Sequence, residues 1–559
     1  MQILLRAASA AVFAFLLLFA VSSTKAATRT SIASGDWQVP ATWDSGTVPG
    51  AGDNVVIASG TTIATPTDNN IGGGIITVQS GAVLDLRGAF LTASKLIAEN
   101  GSEVIQRGGT APRTTISTYQ LASNSTYTFN GSNSSLTDTH PVYGNLTIKP
   151  SGSSSGTITT PLTVTGTFTV DFQGQSSLRL QSNVAYSFGS LLIKSGVFLM
   201  NNSSGTATAT VNGNLNIQST AILRGTASSG HGTLNLGGDL VNNGAIEQDD
   251  GSSTGTFTVN LNGAAEQHIS GASAIAFENL TVNNTAGVVL DRDVTVDKAL
   301  TLTSGRVDAE DFALSLASGA TVSGGGGTSY VLGYVAKDLT AAGNFTFPVG
   351  TNSGYSPVNV NVTSVQSPSK LSVAAFNGVG PGVEPANSVA RFWNIIEEGD
   401  VTANLTFSYR EADVTTSAAE ASFSLVKKDG NSAPVVVCTG NGCIDAAANT
   451  ASAAGVANFS RWAIGVPLAP SSAEASVTGR VLAADGRGTG NAFLTIVGSD
   501  GHVRYAISNQ FGYFSFRGLA VGEVYTISIR SKQYEFTPSV RVITLNDAES
   551  HIDFTANAR

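Results

Sequence analysis

Six acidic side chains gather in two neighbouring stretches of the sequence and are its best candidates for chemistry. They lie in LDRDVTVDKAL and RVDAEDF, and they are Asp291, Asp293, Asp297, Asp308, Glu310 and Asp311. If the first stretch is a strand, Asp291 and Asp293 project to one side of it, because side chains alternate. A neighbouring strand could bring Asp308 within reach. The pattern suits either paired carboxylates that cleave a polysaccharide or a calcium site.

A solvated polar edge is the competing interpretation of the same residues, since acidic side chains at turns keep sheets soluble. The five histidines form neither HExxH nor any pair spaced for zinc. We therefore predict no catalytic residue, no metal and no cofactor. Asp291, Asp293 and Asp308 remain the catalytic alternative, and Asp308, Glu310 and Asp311 remain the calcium alternative.

Two of the four tryptophans, Trp37 and Trp43, stand close together in SGDWQVPATWDSGTVPG. Exposed indoles stack on sugar rings, so the pair is a candidate carbohydrate-binding site. Alternatively, with Pro40 and Pro49, they form an irregular cap over the first open sheet edge, since proline removes a ladder donor and tryptophan covers apolar area. We expect the cap, because an uncovered edge invites aggregation.

The only two cysteines, Cys438 and Cys443, flank a turn signal in VVVCTGNGCID. A valine-rich strand leads into this turn, so the spacing predicts a hairpin disulfide in an exported chain. A metal site is the alternative, but no histidine lies nearby in the sequence to complete it.

Short alternating runs fill the chain from about residue 54 to 328 and would have to position these residues. Examples are NVVIA, IITV, NLTI, TFTV, NLNI, TLNL and ALTL, separated by Gly, Ser or Asn. Residues 127–148 resemble 257–282, and 161–170 resemble 293–302. Self-similarity at this long spacing, built from smaller rungs, predicts a stacked solenoid, best a right-handed parallel β-helix. A series of β-sandwiches is the alternative, because the rung lengths are uneven.

Composition and charge exclude one class of partner and indicate the compartment. The net charge of −10, with a pI near 5.0 and no basic stripe, argues against nucleic acid. Residues 1–26 have the pattern of a secretory signal peptide, and their apolar run is too short to span a membrane. We therefore expect a secreted or cell-surface protein with no integral membrane segment after cleavage.

The segment TWDSGTVPGAGDNVVIASGTTI, followed by IITVQSGAVLDL, resembles the eight-glycine domain. That domain stands at the front of secreted and cell-surface proteins, often before β-helical segments, and it has no agreed chemistry. The matching residues are Trp43, Gly46, Val48, Pro49, Gly52, Asp53, Val55, Ile57, Gly60 and Gly81. The resemblance implies a solenoid entrance and no particular activity.

The segment after the linker PLAPSSAEA resembles the carboxypeptidase regulatory-like domain, a seven-stranded transthyretin-like sandwich. Its N-x-x-G-x-F-x-F-x-x-L-x-x-G-x-x-Y core is matched by Asn509, Gly512, Phe514, Phe516, Leu519, Gly522 and Tyr525. The resemblance implies an accessory module without peptidase activity, related to starch-binding-like folds. Between solenoid and linker, FPVG and RFWNI resemble a β-rich region that follows repeats in large exported bacterial proteins.

These observations predict an all-β chain, with a parallel β-helix or solenoid followed by two β-sandwich domains. The predicted parts are a signal peptide (1–26), a cap with the first rungs (27–100), the solenoid with its internal repeat (101–328), a sandwich-like domain (329–467), a linker (468–475) and the carboxypeptidase regulatory-like sandwich (476–557). The predicted function is non-enzymatic adhesion of a bacterial surface or matrix protein to glycans or cell-envelope components. A purely structural stalk and a polysaccharide-cleaving enzyme are the alternatives, and the oligomeric state stays open.

Overall fold

The computed structural model describes most of the chain. The described residues are 26–87, 89–107, 114–131, 135–137, 141–152, 155–249, 251, 254–415, 420–430, 432–468, 475–499, 501–546 and 552–557. The predicted signal peptide lies outside them except for Ala26. Within them the only helical segments are the 3-10 turns Pro40–Thr42, Glu411–Asp413, Glu420–Ser422 and Gly440–Gly442. The all-β prediction is therefore confirmed.

The chain divides into two compact units, residues 1–131 and 132–559, and the first contains two main parallel sheets. One sheet has the order Thr28–Thr30, Asn54–Ile57, Ile75–Val78, Leu91–Ala98 and Thr114–Leu121, with Asn69–Asn70 beside Leu91–Ala98. The other contains Gly35–Asp36, Thr62–Ala64, Val83–Asp85, Glu103–Gln106 and Thr126–Phe129. Each strand pairs in parallel with a strand of the next coil, which is the predicted solenoid arrangement.

The second unit begins with a solenoid of three parallel sheets, and several long strands run from one sheet into the next. The first, which we name the ladder sheet, uses Leu162–Asp171, Ala185–Asn201, Thr206–Val211, His231–Leu236, Thr256–Leu261, Ile275–Asn283, Val294–Ser304 and Thr321–Gly324. Their apolar residues point inward and form a continuous buried column, which is Val164, Phe188, Val211, Leu236, Leu261, Val282 and Leu302. Each such side chain contributes about 1.5–3 kcal/mol by its burial.

The other two sheets of this solenoid complete its coils. The second sheet uses Asn145–Ile148, Leu162–Asp171, Ala185–Asn201, Leu215–Ile217, Leu240–Asn242, Gln267–Ser270, Val288–Leu290, Val307–Leu316, Val331–Leu339 and Val349–Thr351. The third uses Gly156–Ile158, Ser177–Leu180, Ala185–Asn201, Ala221–Thr226, Ala245–Glu247, Ile275–Asn283, Val294–Ser304, Val307–Leu316 and Val331–Leu339.

The sequence similarity between residues 161–170 and 293–302 does not correspond to a structural repeat. The similarity aligns Val164 with Val296, but the ladder-sheet register connects Val164, coil by coil, to Leu302. Val296 instead pairs with Leu316 in the third sheet. The two segments therefore share a strand pattern but lie on different faces, because coils of unequal length shift the sequence against the sheets.

The predicted boundary at residue 328 does not separate two independent parts. Val331–Leu339 pairs in parallel with Val307–Leu316 and antiparallel with part of Val358–Asn377. The same strand carries Lys337, which is 4% exposed and donates from Nζ to the carbonyls of Ser318 (2.7 Å) and Ala320 (2.9 Å). Burial lowers the pKa of Lys337. One strand thus ends the solenoid and begins the following domain.

That domain is an antiparallel β region with an aromatic core. Its further strands are Gly343–Phe347, Gly354–Tyr355, Val358–Asn377, Val383–Ser408, Ser424–Lys428, Val435–Thr439, Ile444–Asp445, Thr450–Val456 and Arg461–Pro467. The rings of Trp393 and Trp462 both pack on Phe407, at centroid distances of 5.1 and 5.3 Å. Antiparallel pairing replaces the coil pattern here because tight turns join consecutive strands.

In its described residues the last domain has seven strands in two sheets. One sheet has the order Tyr513–Leu519, Ala475–Leu482 and Phe554–Thr555, and the other has Val503–Ile507, Phe493–Gly498, Glu523–Arg530 and Val540–Leu545. Phe514 and Phe516 lie in the core between them. A buried ion pair joins this domain to the preceding one, since Lys428 Nζ is 2.6 Å from Glu523 Oε1 and the side chains are 4% and 0% exposed.

Candidate functional site

Asp291 and Asp293 lie at an exposed corner between the second and third sheets of the solenoid. Asp291 Oδ2 is 3.0 Å from Nδ1 of His268, which stands one coil earlier. Asp293 Oδ1 accepts the backbone N–H of Ala313 at 2.9 Å. The structure therefore gives each carboxylate a separate partner, and His268 is one that the sequence analysis does not predict.

The structure does not gather Asp308, Glu310 and Asp311 into a cation site. Asp308 Oδ1 accepts the backbone N–H of Glu310 at 3.2 Å, and Glu310 and Asp311 form an exposed corner of their strand. Across the described part of the chain, no group of three or more His, Cys, Asp or Glu side chains is placed to hold a metal ion. In this structure the three side chains do not converge on one point as calcium ligands would.

A more enclosed polar cluster surrounds Asp297, which the sequence analysis grouped with Asp291 and Asp293. Gln248 Nε2 donates to Asp297, while the buried Glu278 pairs with Lys298 Nζ at 2.5 Å. Partial burial, together with the Glu278 charge, raises the pKa of Asp297. The degree to which a side chain is buried cannot be read from a sequence. The presence of acidic residues alone therefore does not predict the raised pKa of Asp297.

Trp37 and Trp43 are buried in the first unit, at 0% and 1% exposure. Their rings meet edge to face at 5.2 Å, and Trp43 Nε1 donates to the Trp37 carbonyl at 2.8 Å. Trp37 N donates to Ala64 O, which ties this irregular segment to a strand of the next coil. The carbohydrate-stacking interpretation is therefore wrong, because neither indole has a face that a sugar can reach.

Cys438 and Cys443 are joined in a disulfide, the pairing that their spacing predicts. Cys438 lies at the end of Val435–Thr439 and Cys443 follows the 3-10 turn Gly440–Gly442. The preceding valines of this strand are exposed. The disulfide closes a surface hairpin, so it is a structural bond of the middle domain.

The ladder sheet presents a continuous column of polar side chains to solvent. In eight successive coils, one outward position is always Thr, Ser or Asn. We name these residues the polar column, and they are Thr163, Ser187, Thr210, Asn235, Asn260, Thr281, Thr301 and Ser323. All are partly or fully exposed. Paired strands hold such neighbours about 4.7–4.9 Å apart.

Hydrogen bonds between coils order the polar column. Asn260 Nδ2 donates to Asn235 Oδ1 at 2.8 Å, and Asn235 Nδ2 reaches Thr210 Oγ1 at 3.4 Å. Further along, the hydroxyls of Thr301 and Ser323 are 3.1 Å apart. These bonds restrain the five side chains that they join before any ligand arrives, which reduces the entropy that binding there would cost.

A second column lies two residues earlier on the same outer face. Its members are Thr208, Thr233, Thr258, Asn279, Ala299 and Thr321. Neither column holds a charged residue, and every member except Ala299 offers a hydroxyl or an amide group. The recurring pattern Thr-x-Thr or Thr-x-Asn is the sequence signal for it, but only the register shows that the pairs align.

Comparisons with known proteins give little further information. No family model matches the chain, and no curated protein matches it. Among solved structures, it is similar to a C-terminal fragment of the pilus adhesin SpaC from Lactobacillus rhamnosus GG, at 13% identity over 32% of this chain and 76% of that one, with a TM-score of 0.13. It is also similar to the Bacillus anthracis TIE protein, at 11% identity over 39% and 61%, with a TM-score of 0.14. Scores this low carry no argument about fold or function.

Among the residues described, no helix is long and apolar enough to cross a bilayer.

Proposed function

We propose that this chain is an exported, non-enzymatic surface or matrix protein whose ladder sheet binds an extended, uncharged polysaccharide. The polar column carries this proposal, because it repeats one kind of hydrogen-bonding group across eight coils. Sugar hydroxyls donate and accept hydrogen bonds, as do Thr, Ser and Asn side chains. A long polymer can therefore contact several coils at once.

Several simultaneous contacts along one polymer would make individually weak contacts sufficient for binding. One hydrogen bond contributes only about 0.5–1.5 kcal/mol net, so a single coil would hold a sugar poorly. Contacts along one polymer chain are linked, and each later contact is effectively intramolecular. In this proposal the chain is an adhesin whose affinity comes from repeated weak contacts along the ladder sheet.

The finer domain assignments belong to this proposal as well. The eight-glycine resemblance at residues 43–81 and the carboxypeptidase regulatory-like resemblance at 476–557 both favour an exported protein with accessory modules. The signal-peptide pattern at residues 1–26 favours the same compartment. We infer a location outside the cell or at its surface.

The test is depletion of purified residues 27–559 from solution by insoluble neutral polysaccharides. The test variant carries Thr281→Arg and Ser323→Arg in the polar column, and the matched control carries Thr295→Arg and Ser315→Arg on outward positions of the third sheet. We expect the first variant to bind about tenfold more weakly, which corresponds to about 1.4 kcal/mol. The control should bind like the unmodified chain.

Other results would identify the two alternatives. Equal loss in both variants, or no depletion of the unmodified chain by any polysaccharide, would overturn the proposal and favour a structural stalk. Release of reducing ends, abolished by Asp293→Ala with Asp308→Ala, would establish a polysaccharide-cleaving enzyme instead.

A further inference from the structure

The outer face of the four-stranded sheet in the last domain is exposed and largely apolar. Tyr505 and Ile507 on one edge strand are 65% and 62% exposed, and Val542 on the opposite edge strand is 65% exposed. The register aligns Tyr505 with Thr495 and Ser528, and Ile507 with Phe493 and Arg530. Exposed apolar surface of this kind often marks a binding site, because soluble proteins rarely leave large apolar patches in contact with water.

An aromatic and cationic stack crosses this outer face. The rings of Tyr505 and Phe493 are 5.4 Å apart, and the Arg530 guanidinium lies 4.6 Å from the Phe493 ring centroid. Stacking on Phe493 holds the guanidinium flat and leaves its N–H donors available at the edges. Arg530 pairs with no carboxylate among the residues that the structure describes.

An open cavity of about 660 Å³ adjoins this stack at one end of the sheet. Phe493 and Arg530 line one side, and Asn491, Lys532 and Gln533 line the rest. Asn491 has a left-handed backbone (φ 59°), and its side-chain amide makes no hydrogen bond to a described residue. The cavity thus combines an aromatic wall with an amide and two cations that have no ion-pair partner in the described residues.

The local charge of this domain differs from that of the chain. Residues 475–559 contain eight Lys or Arg and seven Asp or Glu, whereas the whole chain carries a net charge of −10. Among the described residues that line the cavity there is no Asp or Glu. An anionic ligand would therefore meet two cations here and few competing carboxylates.

We propose that this cavity and the adjoining stack bind a carboxylated polysaccharide, a chain of uronic acid residues. The proposal rests on the proposed function in that it assumes a glycan-binding protein, but it assigns a second, cationic site that differs in chemistry from the uncharged polar column. The ring of one sugar packs on Tyr505 and Phe493, and its carboxylate accepts hydrogen bonds from Arg530 and Lys532.

Charge and shape favour a glycan over a protein partner at this site. A guanidinium beside an aromatic ring suits a uronic acid, whose sugar ring presents a C–H face to the aromatic ring and whose carboxylate can accept two hydrogen bonds. Arg530 and Phe493 line the cavity directly, so one sugar residue could contact the ring and the guanidinium together.

The experiment compares full-length variants by their affinity for soluble polygalacturonate, with neutral dextran and dextran sulfate as the other arms. Arg530→Ala should weaken polygalacturonate binding about tenfold, and Arg530→Ala with Lys532→Ala should abolish it, because both carboxylate partners are then gone. Arg517→Ala removes the same charge from the other sheet of this domain and should change nothing. Binding of the unmodified chain should fall as salt rises.

Each other outcome would overturn the assignment. Undiminished polygalacturonate binding by the double variant, or equal loss in Arg517→Ala, would show that the cavity is not the site. Equal affinity for dextran sulfate would show general polyanion binding. Concentration-dependent self-association that Tyr505→Ser abolishes, without polysaccharide binding, would show a protein interface. Since Thr281→Arg with Ser323→Arg leaves this domain intact, failure of the ladder sheet and failure of this site are distinguishable.

Discussion

Arg391 shows how one buried charge organises the middle domain. Its side chain is 0% exposed, and its Nε donates to Asp413 Oδ2 at 2.9 Å while its Nη1 donates to Thr351 Oγ1 at 2.7 Å. Burial lowers the pKa of Arg391, and Asp413 opposes that effect. The carboxylate is what makes burial of this guanidinium tolerable, because an unpaired buried charge is costly.

We expect Asp413→Ala to lower the free energy of unfolding of the middle domain by about 3–5 kcal/mol, since it leaves the guanidinium buried without a counter-charge. Urea denaturation of the full chain followed by tryptophan fluorescence would measure this, because Trp393 and Trp462 lie in the same domain. Asp338→Ala removes an exposed partner of Lys370 and should cost about 1 kcal/mol or less. Equal losses in the two variants would contradict the prediction.

The raised pKa of Asp297 predicts that the stability of the fold decreases as pH rises. A carboxylate in a stabilising salt bridge has the opposite effect. Its pKa is raised in the fold, so the folded state binds more protons than the unfolded state near that pH. The contribution of Asp297 to the free energy of unfolding is therefore fully present below its ordinary pKa of 3.8. It is lost as pH rises through the raised pKa. Asp297→Asn should remove that loss while keeping an acceptor for Gln248.

Melting temperatures measured between pH 3 and pH 7 would test this. The unmodified chain and Asp297→Asn should differ least at pH 3, and the variant should be the more stable at pH 7. Asp308→Asn, at a partly exposed position in the second sheet, is the matched control. A variant that is less stable at pH 7 than at pH 3, relative to the unmodified chain, would show that the Asp297 charge is favourable.

At the scale of single elements, close approach between coils restricts particular positions to glycine. A Cβ on Gly225 would lie 2.2 Å from Phe257 Cβ and 2.7 Å from the Gln248 carbonyl oxygen. Neither atom is the flexible end of a side chain, so the third sheet cannot yield without moving backbone. The coil packs tightly here because Phe257 fills the core beside it.

Gly225→Ala should therefore lower the melting temperature of the solenoid clearly, at a cost of about 1–3 kcal/mol for overpacking. Gly326→Ala is the control, since a Cβ there meets nothing within 4 Å and the backbone is not left-handed. Circular dichroism of both variants during heating would compare them. Similar melting of Gly225→Ala and the unmodified chain would show that the coil relaxes more freely than its contacts indicate.

Alternation in the sequence predicts the strands and the solenoid well, because a period of two needs only local information. The register between coils is not local, so the sequence similarity of 161–170 to 293–302 indicated an equivalence that the sheets do not have. The pairing of Val331–Leu339 with strands on both sides of residue 328 is equally non-local. The burial of Trp37 agrees with the expected cap. The polar column could be suspected from Thr-x-Thr pairs, but the pairing of Asp291 with His268 depends on contacts between coils.

At the scale of the molecule, the Lys428–Glu523 ion pair couples the last two domains. Lys428 Nζ also donates to the Gly430 carbonyl at 3.1 Å, and the Ser499 hydroxyl donates to Glu523. Both charges are almost fully buried, so the interface between these domains excludes water. We infer that the last domain is held rigidly on the preceding one.

Glu523→Ala should uncouple the two domains by leaving a buried ammonium without its carboxylate, at a cost of about 3–5 kcal/mol. Calorimetry would then show a separate transition of the last domain below that of the rest. Glu535→Ala, at an exposed position of the same domain, should leave the thermogram unchanged. An unchanged thermogram for Glu523→Ala would mean that apolar contacts alone hold the domains together.

The uneven coils of the second unit have a consequence for how such a chain can evolve. Residues of the polar column are separated by 20 to 25 positions in the sequence, yet they stay aligned across the sheet. Length differences are absorbed at the corners, so duplication or deletion of one whole coil would leave every neighbour in register. The length of this solenoid is thus free to drift between related chains, while the chemistry of its outer face is preserved.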